Sequence, residues 1–133
     1  MLYYNKYKYN KYHNKKTRTS DGVEHDSQKE ARRWMELQLL QKAGHIADLE
    51  RQVRFELVPT QREPDTVGKR GGVHKGKCIE QSVVYVADFV YIDQKTGSKV
   101  VEDVKSIATR KKESYIIKRK LMLYLKGIKI SEY

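Results

Sequence analysis

The chain predicts an α/β fold, with a central mixed sheet flanked by helices in the order helix, three strands, helix, strand (αβββαβ). Three observations carry this expectation. A capped stretch at residues 28–43 has helical apolar spacing and ends at Gly44. Two apolar runs, residues 83–92 and 100–105, are joined by a turn, Asp93-Gln94-Lys95-Thr96-Gly97-Ser98, in which Gly97 supplies the positive φ of a hairpin exit. A second helical stretch, residues 111–126, follows that hairpin and stops at Gly127. With 133 residues the chain suits one domain around a single core.

Residues 1–19 hold five of the ten tyrosines and six Lys or Arg, with no acid. Such a segment cannot bury a core, so it reads as a flexible arm ahead of a folded domain at residues 20–133. Lys6, Lys8, Lys11, Lys15 and Lys16, interleaved with tyrosines, suit phosphate contact and base stacking. A solvated tail is the plainer alternative.

The domain opens with a turn at Ser20-Asp21-Gly22. Ser27 and Glu30 then have capping-box spacing. In the first helix Ala31, Trp34, Met35, Leu37, Leu39 and Leu40 form the apolar face, and Arg32, Arg33, Glu36 and Gln38 are expected in water. Leu49, Arg51, Val53, Phe55 and Leu57 alternate with polar residues as a half-buried strand. Residues 61–77, with Pro64, Gly68, Gly71, Gly72 and Gly76, read as a mobile basic loop; the spacing of a nucleotide-binding phosphate loop is absent. In the last helix the apolar side is Ile116, Ile117, Leu121, Leu123, Tyr124 and Leu125, and Ile128-Lys129-Ile130 is expected to close the sheet.

Composition narrows the function. A net charge of +11 and a pI near 9.7 point to a polyanionic partner such as nucleic acid. One cysteine, Cys78, excludes a disulfide framework and a cysteine zinc cluster; His13, His25, His45 and His74 have no ligand spacing. No apolar run approaches the roughly 20 residues of a membrane span, and the start lacks a signal-peptide apolar region. A soluble, intracellular protein is expected.

Acids on the apolar hairpin are the informative feature. If residues 94–97 form a four-residue loop, Asp93 pairs with Ser98 and Asp88 faces Asp103, with Cβ atoms roughly 5 Å apart. Alternation puts Val101, Asp103 and Lys105 on one face and turns Glu102 and Val104 away, so Glu102→Gln is expected to be mild. Two carboxylates so close repel unless a cation lies between them. A buried Asp88–Lys105 ion pair, with Asp103 at a wet strand edge, is the alternative. Glu30 is either the cap partner of Ser27 or a third acid reaching the site from the first helix.

Asp88-x(14)-Asp103-x-Lys105 on a hairpin resembles the active site of the PD-(D/E)XK nuclease superfamily, and the αβββαβ order resembles its restriction-endonuclease-like core. Asp21-Gly22-Val23, residues 26–33, residues 87–91 and residues 101–105 are similar to a family of small phage-encoded nucleases formerly known as a domain of unknown function. The similarity covers residues 17–133. His25 departs from it, standing where an aromatic or aliphatic strand residue is expected, and the tyrosine-rich arm is not part of it.

The resemblance implies a Holliday-junction resolvase cutting four-way DNA junctions in the cytoplasm of the phage host, with 5′-phosphate and 3′-hydroxyl products. Because such a junction is pseudo-two-fold symmetric and must be cut in two strands, a homodimer is expected. The resemblance also implies Mg²⁺, with Mn²⁺ as substitute, held by Asp88, Asp103 and the Val104 carbonyl, and a role for Glu30 in orienting water or holding a second metal. Lys105 would position the water or neutralise the transition state. Arg32, Arg33, Lys111, Lys112, Lys118, Arg119 and Lys120, and more weakly Thr109, would hold phosphates; a solvated face is the alternative. Trp34, Met35 and the last helix are the candidate dimer surface. Other DNA structures (flaps, nicks, single strands), or a non-catalytic basic DNA-binding protein, are the competing readings.

Overall fold

The computed structural model describes residues 15–133, so Lys6, Lys8 and Lys11 of the arm lie outside the described residues. Its elements are β1 (Thr17–Arg18), β2 (Glu24–His25), α1 (Gln28–Lys42), β3 (Ile46–Val58), β4 (Gln61–Arg62), β5 (Thr66–Val67), β6 (Val73–His74), β7 (Cys78–Glu80), β8 (Val83–Asp93), β9 (Lys99–Asp103), α2 (Ile107–Arg110), α3 (Glu113–Lys126) and β10 (Ser131–Glu132). The architecture is mixed α and β around a four-stranded sheet of order β10-β9-β8-β3. β3, β8 and β9 run antiparallel, and β10 returns parallel to β9 after α3. Leaving aside the short strands and α2, the order is the expected αβββαβ.

The hairpin register is as expected. Ile92 pairs with Lys99 and Phe89 with Glu102, and the Asp93 N–H donates to the Ser98 carbonyl at 2.9 Å. One step further, the same register sets Asp88 opposite Asp103. Gly97 has φ 69°, the left-handed conformation that the turn requires.

Each face of the sheet carries an apolar cluster. On the α1 side are Trp34, Leu37, Ile46, Phe89, Tyr91 and Val104. The other cluster joins Leu57, Tyr85, Ala87, Val90, Val101, Tyr115, Met122 and Ile130. Tyr85 and Ala87 share a cluster with Val90, whereas Phe89 and Tyr91 belong to the opposite one, so the alternation of β8 changes phase at Asp88. Opposite Asp88 stands Gln52, whose φ of 53° is a left-handed value unusual for a residue with a side chain.

Several expectations are corrected. Thr17 and Arg18, placed in the arm, pair with β2. Ile128–Ile130 forms no strand: Ile130 is buried as a core plug, and pairing with β9 begins at Ser131. In α3 the core takes Tyr115 and Met122, leaving Ile117, Leu123, Tyr124 and Leu125 exposed. Leu39 of α1 is exposed as well, while Trp34 is buried, stacked on Phe89, and donates from Nε1 to Asp21 at 2.7 Å. That burial removes Trp34 from any dimer surface. Residues 61–77 are a paired ribbon: β4 pairs with β7 and β5 with β6, nested beyond the β3–β8 pair. Glycines alone suggested a loop; cross-strand hydrogen bonding orders them.

Candidate active site

Three elements deliver the site. α1 begins at Ser27, whose side chain accepts the Glu30 N–H at 3.1 Å. The Glu30 carboxylate does not complete the capping box. It turns inward, 5% exposed, where Oε1 lies 3.4 Å from His25 Nδ1 and accepts from Gln52 Nε2 at 3.3 Å. Of its two expected roles, the inward one matches the geometry.

β8 and β9 bring the other acids. Asp88 Oδ2 accepts the Val104 N–H at 2.8 Å, and Oδ1 takes a long bond from Gln52 Nε2 at 3.4 Å. Gln52 therefore bridges Glu30 and Asp88. Asp103 is fully buried; its Oδ2 accepts from the Tyr85 hydroxyl at 2.9 Å, and its Oδ1 lies 3.1 Å from Lys105 Nζ. The plain alternative of an Asp88–Lys105 pair with Asp103 at a wet edge is thus overturned. Lys105 pairs with Asp103, and Asp103 has no contact with solvent.

Electrostatics follow from this crowding. Burial, then the neighbouring Asp103, push the Asp88 carboxyl up to about 8. Burial would lower the Lys105 ammonium, but the charges of Asp103 and Asp88 outweigh it and raise it. Burial, with Asp103 beside it, pushes the Tyr85 hydroxyl up, so it stays a donor. An acid held near neutral by burial and a second acid is an arrangement that a cation would relieve.

The donor set fits a divalent cation of magnesium type in part. Asp103 Oδ1 is a buried oxygen with no hydrogen-bond donor beyond its ion pair, and it lies beside Asp88. Two carboxylates with a backbone carbonyl suit an ion that keeps several waters. Among the described residues no three His, Cys, Asp or Glu side chains converge as a metal-holding group.

Beside these residues runs a cleft of about 290 Å³ lined by Asp26, Ser27, Lys29, Asp88, Val104, Lys105, Ser106 and Thr109. A groove of about 260 Å³ continues from Lys105 and Thr109 along Val84, Tyr85 and Val86 to Lys112 and Lys118. Thr109, Lys112 and Lys118 therefore share a track with the acids. Lys111 and Arg32 are exposed and line neither cavity. Arg119 pairs with Glu132 at 3.2 Å, and Lys120 lines a separate cavity with it. Lys15 is exposed, and Lys16 pairs with Glu24 at 3.2 Å.

Arg33 is a correction. Expected in water as a phosphate ligand, it donates to both oxygens of buried Glu102, at 2.6 and 2.9 Å, and Tyr91 donates to the same carboxylate at 2.8 Å. Glu102 does point away from the acids, as alternation requires, but into a buried network.

Gln52, Tyr85 and Lys29 are not expected at the site from the sequence, and His25 stands out in it only as a departure, with no role at the site. Only His25, breaking an expected apolar strand position five residues before Glu30, left a sequence signal.

Neither solved structures nor curated proteins yielded a match. A family model described as "Protein of unknown function (DUF1064)" matches residues 9–130, and the chain belongs to that family.

Proposed function

We propose that this protein is a metal-dependent DNA endonuclease of the PD-(D/E)XK type, acting as a homodimer on four-way junctions in the cytoplasm of a phage host. The observation that carries the reading is the buried Asp88–Asp103 opposition with Lys105 Nζ 3.1 Å from Asp103. Sheet order β3-β8-β9-β10, with β10 parallel to β9 across α3, supports a restriction-endonuclease-like core.

Asp88, Asp103 and the Val104 carbonyl would hold Mg²⁺, or Mn²⁺ in its place. When bound, the cation supplies positive charge at the scissile phosphate and lowers the pKa of a water. Lys105, kept protonated by Asp103, offsets the charge that develops on the phosphoryl oxygens. Glu30, oriented by Gln52 and His25, holds the attacking water by accepting its hydrogen bond. Tyr85 fixes the Asp103 carboxylate through Oδ2. Lys29, Thr109, Lys112 and Lys118 line the approach and suit backbone phosphates.

A junction presents two strands related by a two-fold axis, which suits paired sites in a dimer. The exposed Ile117, Leu123, Tyr124 and Leu125 of α3 supply an apolar face for pairing. A panel of junction, flap, nicked, linear duplex and single-stranded DNA, with Mg²⁺ or EDTA, tests the proposal. Metal-dependent cutting with preference for the junction is expected. Absence of cutting on every substrate with Mg²⁺ and with Mn²⁺ refutes the nuclease, and a flap preference refutes the resolvase.

A further inference from the structure

From Val58 and Val83 the chain continues as a two-stranded ribbon built of two short antiparallel ladders, β4–β7 and β5–β6. Gln61 pairs with Glu80, Arg62 with Cys78, Thr66 with His74 and Val67 with Val73, around a tip at residues 68–72. Strain-sensitive packing holds its middle: a Cβ on Gly76 would meet the Glu63 carbonyl at 1.8 Å, so only glycine lets the strands cross there. Gly76 N–H donates to Asp65 Oδ1 at 2.9 Å and Arg62 to the Gly76 carbonyl at 3.2 Å.

No residue from 59 to 81 is buried. The ribbon therefore adds nothing to the core, although ordering it costs conformational entropy at every residue. Its charge is sorted along its length. The acids Glu63, Asp65 and Glu80 sit in the basal half together with Arg62, Lys75 and Lys77, Glu63 donating its N–H to the Lys77 carbonyl, whereas the tip at residues 68–72 carries Lys69 and Arg70 and no acid.

We infer that the ribbon is a DNA-binding arm that enters the major groove of the duplex next to the site. A two-stranded ribbon fits the major groove of B-form DNA, whereas the deep, narrow major groove of A-form RNA excludes it. Residues 61–80 contain no Phe, Tyr or Trp, so they lack the stacking platforms that single strands need. The sheet end that launches the ribbon is five residues beyond Asp88, about 17 Å at the usual rise. The basic groove past Lys112 and Lys118 runs alongside that same strand segment, Val84–Val86. The inference rests on the reading of the protein as DNA-acting, and it adds which element grips the duplex and how.

Binding of the full chain to a linear duplex in EDTA, where metal-dependent cutting is off, separates this inference from the nuclease reading. Replacing both Lys69 and Arg70 by alanine is expected to weaken binding roughly 10- to 100-fold near 0.1 M salt, and to lower the log–log salt slope by about 2. Alanine at exposed Lys42 and Lys95, an equal loss of charge elsewhere, should change affinity far less. Duplex with glucosylated hydroxymethylcytosine, which fills the major groove, should bind the native chain weakly and lose its dependence on Lys69 and Arg70. Equal affinity of the tip variant and the Lys42/Lys95 variant, indifference to the filled groove, or double-stranded RNA bound as tightly as DNA would each overturn the arm. Unchanged melting temperatures verify that both variants are folded. Cleavage that fails while tip-dependent binding persists would sink the nuclease and leave the arm standing.

Discussion

Arg33 of α1 grips Glu102 of β9 with two hydrogen bonds, at 2.6 and 2.9 Å, between residues 69 positions apart. One helical turn before it on the same helix, Glu30 reaches the Asp88 side of the sheet through Gln52. The ion pair thus sets where the helix-borne acid stands relative to the strand-borne ones. Removing one partner of such a buried pair costs about 3–5 kcal/mol, because the other charge is left without compensation. Glu102→Ala and Arg33→Ala are each expected to lower stability by about 3 kcal/mol, with the double variant well short of the sum. Urea denaturation of the three variants reads this. Glu102→Gln, which alternation alone made mild, should also destabilise.

Asp103→Asn keeps size and the Tyr85 hydrogen bond but removes one of two adjacent charges. Turnover should fall by about 10³-fold or more, with DNA affinity unchanged or slightly raised. Tyr85→Phe, which only loosens Asp103, should lose about 10- to 100-fold. Single-turnover cleavage and anisotropy binding, measured side by side, check both; full activity of Asp103→Asn would overturn the site.

Gln52 holds two carboxylates from a left-handed backbone, φ 53°. Gln52→Gly and Gln52→Ala both lose the bridge, so both should cut more slowly. They should part in stability. Alanine keeps the left-handed penalty of roughly 1–2 kcal/mol, so the glycine variant should be the more stable by about 1 kcal/mol. Equal melting curves for the two would show that the backbone there carries no such strain.

Asp88 makes metal-free stability depend on pH. Its folded carboxyl is raised to about 8 by burial and by Asp103, so between the usual carboxylate range and about 8 the folded state binds the extra proton. Stability should therefore fall as pH rises through that window and level off above it. Mg²⁺, which favours the ionised pair, should raise the melting temperature most at the upper end. Thermal melts from pH 5 to pH 9 with EDTA or Mg²⁺ test this, and Asp88→Asn should flatten the EDTA curve.

Local chemistry in the sequence was enough to determine the alternating helix and strand periods, the Ser27 cap, the Gly97 turn and hence the register that opposes Asp88 to Asp103. Each depends on contacts within a few residues or on strict two-residue alternation. The tertiary structure alone decided what the charges do. Arg33 has the composition of a solvent-facing helix residue, and only the packing of α1 on β9 gives it Glu102. Gln52 and Tyr85 join the site because β8 changes phase at Asp88, a distortion that no alternation pattern encodes. The glycine-rich stretch became a ribbon because hydrogen bonds between distant residues outweigh the local preference for a loop. Interactions of short range are written in neighbouring letters, whereas ion pairs and strand pairings depend on which surfaces the chain brings together.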